Sequence, residues 1–63
     1  MKAEKGKTYL VDWGQAITEF EILEETEKAV RGRGTSGGKY EGNGSWHKRE
    51  EIEAKIVDEL KRS

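Results

Sequence analysis

Gly6-Lys7-Thr8, the spaced glycines Gly32, Gly34 and Gly37, and His47 with Glu51 are the residues of this 63-residue chain whose types and spacing invite a chemical reading. The first set matches the end of a phosphate-binding P-loop. That pattern needs a glycine five positions before Gly6, and Met1 stands there. The second set satisfies G-x-G-x-x-G, whose mechanism requires a helix to open so that its N-terminal amides meet a pyrophosphate. Gly37 runs on into Gly38-Lys39-Tyr40-Glu41-Gly42-Asn43-Gly44, which is poor helix material. The match is a coincidence of a glycine-rich stretch.

His47 is the single histidine, and cysteine is absent. His47 and Glu51 have i,i+4 spacing, but a third metal ligand is not evident. No base with its orienting group is evident beside Ser36 or Ser45. The expectation is therefore no catalytic residue, no metal, no cofactor and no enzymatic activity, with His47 a surface residue near a helix start.

Binding chemistry is better represented. Arg31, Arg33, Lys39, Lys48 and Arg49 flank or lie within a segment holding Tyr40 and Trp46. Cations interleaved with aromatics suit single-stranded nucleic acid, phosphate on the cations and bases stacked on the rings. Arg31, Arg33, Lys39, Tyr40, Lys48 and Arg49 are the candidate nucleic-acid residues. The opposite sign is concentrated in Glu19, Glu21, Glu24, Glu25 and Glu27. Such an acidic face can dock on a basic protein, although its plainer meaning is the solvated side of an amphipathic element.

Charges total 12 basic and 13 acidic, a net charge of −1 with His neutral. A balance that close gives no overall field drawing phosphate or membrane, so an electrostatic partner must see a local patch. No transmembrane span is present, no apolar run of signal-peptide length comes after Met1-Lys2-Ala3-Glu4-Lys5, and a cytoplasmic location is the expectation. A chain near this length buries only about 60% of its unfolded surface, so one thin core and one domain spanning residues 1–63 are expected.

These residues must be positioned by a few elements. Tyr9, Val11 and Trp13 alternate with Thr8, Leu10 and Asp12, the pattern of a strand over Lys7 to Trp13. Which of its faces turns inward is undecided. Gln15 to Val30 supports two readings. As a helix it stripes Ala16, Ile17, Phe20, Leu23 and Val30, with Glu27 interrupting the stripe. As strands, Phe20 and Ile22 alternate with Glu19 and Glu21, and Ala29-Val30 begins a return strand. Residues 31–45 read as glycine-rich loop or hairpin, with Asn43-Gly44 a type I′ dipeptide between Tyr40 and Trp46. Ile52, Ile56 and Leu60 recur at i+4 beside Val57, and Glu51 to Lys55 and Asp58 to Arg62 are acid-before-base pairs. That predicts a helix over about residues 50–61.

Two segments, Phe20-Glu21-Ile22-Leu23-Glu24-Glu25-Thr26-Glu27-Lys28-Ala29-Val30 and Trp46-His47-Lys48-Arg49-Glu50-Glu51-Ile52, together resemble a family of very small β-rich proteins of phages, plasmids and microbial genomes, whose pattern runs roughly "ILxETEKA", a return strand, then "WxPKSxI". In the second, Trp46, Arg49 (for Lys) and Ile52 fit, whereas Lys48 stands where proline is usual and Glu50 where serine is usual. The resemblance covers about half the chain. It implies that Thr26-Glu27-Lys28 is a hairpin tip, that Trp46 closes a later strand and that Ile52 begins a helical segment. It brings no activity.

The expected fold is α+β: a small twisted antiparallel sheet or partly open SH3-like or OB-like barrel with a C-terminal helix. Its strands run Lys7 to Trp13, Ile17 to Glu25, Ala29 to Thr35, Lys39 to Glu41 and Ser45 to Lys48. The competing architecture is β-α-loop-α, with Gln15 to Arg31 helical. The expected core is Leu10 or Tyr9 and Val11, with Phe20, Ile22, Val30, Trp46, Ile52, Ile56 and Leu60. The expected function is a small non-enzymatic binding module for DNA or RNA. The alternatives are a protein-interaction factor, for instance a phage-type modulator of a host protein using Glu19, Glu21, Glu24 and Glu25, or a homo-oligomeric module.

Overall fold

Alternation of apolar and polar side chains in the first half of the chain is resolved as strands. In the computed structural model, which describes residues 2–34 and 44–60, β1 is Thr8–Asp12, β2 Ile17–Glu25, β3 Ala29–Gly34 and β4 Ser45–Lys48. The one helix among the described residues, α1 (Arg49–Lys55), leads directly into β5, Ile56–Leu60. The five strands form one antiparallel sheet in the order β4-β3-β2-β1-β5. Architecture is thus α+β, with β4 and β5 as the two edges of a sheet that does not close.

The helical reading of residues 15–31 is not what forms. Period two wins because Phe20 and Ile22 need one buried face and Glu19 and Glu21 an outer one, as β2 provides. The β1–β2 connection turns at Gly14, whose φ of 90° suits glycine, and whose amide donates to Asp12 Oδ1 at 2.8 Å. The β2–β3 tip is held by Thr26: its amide donates to the Ala29 carbonyl, and its hydroxyl accepts from the Ala29 amide. A bulge between Ile22 and Glu24 in the β2–β3 pairing adds twist.

Tyr9, Val11, Phe20, Ile22, Val30, Ile52 and Ala3 form the core, with Trp13 and Ile56 packed against it. The inward face of β1 is therefore Tyr9 and Val11. Residues 2–4 are tied down by this core: the Tyr9 hydroxyl donates to the Lys2 carbonyl and accepts from the Glu4 amide. Gly32 is required by packing. A Cβ built there would lie 2.3 Å from Phe20 Cε2 and 2.8 Å from the Glu21 carbonyl oxygen, so the Phe20 ring lies against the glycine.

Three expectations are corrected. The helix stops at Lys55, and Ile56 is already extended, at φ −69° and ψ 126°. Ile56–Leu60 pairs with β1 instead, because β1 has a second edge that would otherwise stay unpaired, and backbone pairing there outweighs the i+4 stripe. The Asp58 to Arg62 helical pair goes with it, and the i,i+4 ion pair of α1 is Arg49–Glu53. Trp46 is not core, since it is 55% exposed. Register sets Val30 opposite His47 and Arg31 opposite Trp46, so His47 takes the inner face. Residues 29–34 and 45–48, by contrast, form β3 and β4 where strands were expected. The expected strand at 39–41, together with Thr35, Tyr40 and Asn43, lies outside the described residues.

Candidate interaction surface

Arginine 49 sits at the first position of α1, beside the β2–β3 tip and the N-terminal segment. Its Nε donates to Glu53 Oε2 at 2.9 Å and its Nη1 to the Thr26 carbonyl at 2.6 Å. Its Nη2 donates to Glu25 Oε2 and to the Ala3 carbonyl, both at 2.8 Å. Glu53 in turn accepts the Ala3 amide at 2.9 Å. The fork geometry of guanidinium lets one side chain hold three segments at once. Hydrogen bonds to Glu53 and then Glu25 raise the Arg49 pKa. The Glu53 carboxyl is held low by the Ala3 amide and then by Arg49, and Glu25 by the Lys5 amide and then by Arg49. Arg49, with a side chain only 14% exposed, braces the fold, and Glu25 is engaged in the same network.

Of the other candidate cations, Arg31 and Arg33 share the outer face of β3. Each faces a carboxylate of β2. Arg33 Nε lies 3.2 Å from Glu21 Oε1, and Arg31 Nη2 lies 3.8 Å from Glu24 Oε1. Lys5 also approaches Glu24, at 3.7 Å. Lys48 is exposed at the end of β4, opposite Ala29. Lys39 and Tyr40 lie outside the described residues. The structure thus brings Arg31, Arg33, Trp46 and Lys48 to one face, with Glu19, Glu21 and Glu24 on the neighbouring strand, and sets Arg49 and Glu25 apart from them.

Register decides which residues share this face, because directly paired residues of an antiparallel sheet point the same way. Arg31 lies opposite Trp46, Glu21 opposite Arg33, and Glu24 opposite Arg31. Acid, base and aromatic therefore occupy successive strands. An open groove also runs between the tip and α1, lined by Glu27, Lys28, Lys48, Arg49, Glu50 and Glu53. Its charges are mixed and already include the Arg49 brace.

His47 departs from its expected surface role. Its ring lies 5.5 Å from Phe20, edge to face, and 5.7 Å from Trp13, and its Nε2 is 2.8 Å from Ser45 Oγ. Trp13 meets Phe20 at 5.2 Å and donates through Nε1 to Thr18 Oγ1, while Lys55 Nζ lies 5.8 Å from the Trp13 ring centre. Burial holds the imidazole below its ordinary pKa. Lys55 adds to this and Glu51 partly opposes it. The ring is therefore neutral at pH 7, as an aromatic core neighbour should be. Among the described residues no group of three His, Asp or Glu side chains could hold a metal ion.

Sequence reasoning did not find Trp13 in this aromatic cluster, Ala3 in the core, or the exposed pair Ile17 and Val57. The alternation Tyr9-Val11-Trp13 signalled the first. Nothing local signalled Ala3, whose burial depends on Glu53 and Arg49 some fifty residues away. No helix among the described residues is long and apolar enough to cross a membrane. Comparison of the chain with protein-family models, with curated proteins and with solved structures finds no match.

Proposed function

We propose that this domain is a non-enzymatic protein-interaction module that docks through the outer face of β3 and β4, with Trp46 as its anchor. One observation carries the reading: a tryptophan more than half exposed, on an edge strand, directly across from an arginine. Leaving an indole in water gains nothing for the fold, whereas Trp and Arg are the residue types that dominate protein interfaces. The sheet arrangement, a four-strand meander with β5 returned onto β1, supports a partly open SH3-like barrel as its finer description. Such small barrels expose one sheet face and two edges to partners.

The partner that suits this face is a protein surface of mixed charge. Arg31 and Arg33 already stand against Glu24 and Glu21, and those carboxylates repel a phosphate backbone while leaving a protein side chain able to exchange ion pairs. Affinity capture from a cell lysate by the full chain tests the reading. A protein retained by the wild type should be lost with Trp46→Ala and weakened with Arg31→Ala, while Glu19→Lys with Glu21→Lys alters it less. Capture indifferent to Trp46 would sink the proposal.

Single-stranded nucleic acid is the second reading, favoured by Arg31, Trp46 and Lys48 lying on one face. It requires binding to short DNA and RNA oligonucleotides that weakens with salt and loses slope when Arg31 and Arg33 become Ala. Flat titrations at about 50 mM salt remove it.

A further inference from the structure

We infer that the fold contains a peptide-binding notch for short extended segments with a small central side chain, and that the chain's own residues 2–4 fill it as an intramolecular ligand. The notch is built by β1 and α1 and does not depend on the reading of Trp46.

Residues 2–4 belong to no strand, yet Ala3 is fully buried. Their main-chain groups are met by side chains. The Lys2 carbonyl accepts from the Tyr9 hydroxyl at 3.0 Å, and the Glu4 amide donates to the same oxygen at 2.9 Å. Between them the Ala3 amide donates to Glu53 Oε2 at 2.9 Å, and the Ala3 carbonyl accepts from Arg49 Nη2 at 2.8 Å. Tyr9, Arg49 and Glu53 thus hold the N–H and C=O of two consecutive peptide units. Strands trade such bonds backbone to backbone. A few polar side chains converging on a short segment is how a site holds and orients a separate ligand.

Recognition is of the backbone, with one strict side-chain requirement. Ala3 packs in the core cluster, so a larger central side chain would overfill it. The preceding position favours a cation, since Lys2 adds to the Lys5 amide and Arg49 in holding the Glu25 carboxyl low. The notch also needs an occupant. Tyr9 is fully buried and Arg49 nearly so, and an empty notch would leave both short of partners. Residues 2–4 can nevertheless leave without unpicking the sheet. They join β1 through the exposed turn at Lys5-Gly6, where Gly6 has φ 86° and no atom within 4 Å of the place a Cβ would take. Bonding to β2 begins beyond them, with the Gly6 amide 2.9 Å from the Ile22 carbonyl. A segment tethered so closely competes at an effective concentration on the order of 1 mM, which closes the site to dilute peptides until it is displaced.

Ala3→Glu in the full chain tests it, because a carboxylate set beside Glu53 ejects the segment. The probe is acetyl-Met-Lys-Ala-Glu-Lys-amide, the sequence of residues 1–5. Added to this variant, it should return the backbone amide shifts of Tyr9, Arg49 and Glu53 towards their wild-type positions, with half-saturation at about 1 mM, the scale of a few hydrogen bonds. The same peptide with glutamate in place of its alanine should not, and the wild type, its notch filled, should respond less. A second measurement needs no variant. In native-state hydrogen exchange of the wild type, the Ala3 and Glu4 amides should open locally at a rate nearly independent of low denaturant, while Phe20 and Ile22 follow global unfolding. A variant unfolded by circular dichroism, a variant that ignores the peptide or takes both peptides alike, or Ala3 and Glu4 amides that exchange only by global unfolding each overturns the inference, because residues 2–4 would then be part of the core and not its ligand. Capture of a partner through Trp46 stands or falls separately.

Discussion

Replacing Gly32 by Ala places a methyl group where the structure has the Phe20 ring. The added Cβ would stand 2.3 and 2.7 Å from two ring carbons and 2.8 Å from the Glu21 carbonyl oxygen. Phe20 is fully buried, and the Glu21 carbonyl belongs to a paired strand, so neither neighbour can swing into solvent. Overpacking of this kind costs about 1–3 kcal/mol. Removing a glycine from the unfolded chain returns about 0.4–1 kcal/mol. The net expectation is a loss of about 1–2 kcal/mol. A chain of this length has a total stability of roughly 3–9 kcal/mol, so the loss is a sizeable share. Urea unfolding monitored by tryptophan fluorescence reads it as a midpoint lower by about 1–2 M if the slope is near 1 kcal/mol/M. A second change isolates the cause. Phe20→Leu is destabilising alone, yet Gly32→Ala should cost less in its presence, because the ring it strikes is gone. A Gly32→Ala protein as stable as the wild type would refute the packing argument, and strictly additive losses would place the strain elsewhere.

The core and the brace set two further outcomes. His47 has a folded pKa lowered by burial, so the unfolded chain binds its proton first. Stability should therefore fall as pH drops below about 6.5, the ordinary histidine value, and flatten once pH passes the folded pKa. His47→Phe should remove that segment of the melting-temperature profile and leave the steeper loss below about pH 4.5, where Glu25 and Glu53, both held low in the fold, take up protons. An unchanged profile would count against the buried ring. Arg49→Lys keeps the charge but not the fork, and should release residues 2–4. Amide exchange at Ala3 and Glu4 should then rise towards the unfolded rate and the melting temperature should drop, whereas protection retained in the lysine variant would show that charge alone suffices.

Much of the sheet was legible because period-two patterning is a local property. The bounds of β2 and β4 agree with those expected, and Phe20, Ile22, Val30 and Ile52 are buried as expected. The misreadings share one cause. Ile52, Ile56 and Leu60 satisfy helical spacing, but Ile56 and Val57 are β-branched, and the unpaired edge of β1 decides between the two. Trp46 reads as core from its type alone, yet one step of register with β3 sends it outward and His47 inward. Arg49 looked like a phosphate contact because local sequence does not reveal that Ala3, Glu25 and Thr26 converge on it.

By itself the amino-acid order established a small, charge-balanced chain with a strand near its start, a polar stretch between Glu25 and Ala29 and no recognisable catalytic set, and it left residues 15–30 open between helix and strands. Tertiary structure alone decided which side of each strand is wet, where α1 yields to β5, and that Arg49, Glu25 and Glu53 brace the fold. The reason is physical. Alternation and turn chemistry act over a few residues, whereas register, edge pairing and the engagement of Arg49 are set by segments up to fifty positions apart, brought together when the core closes.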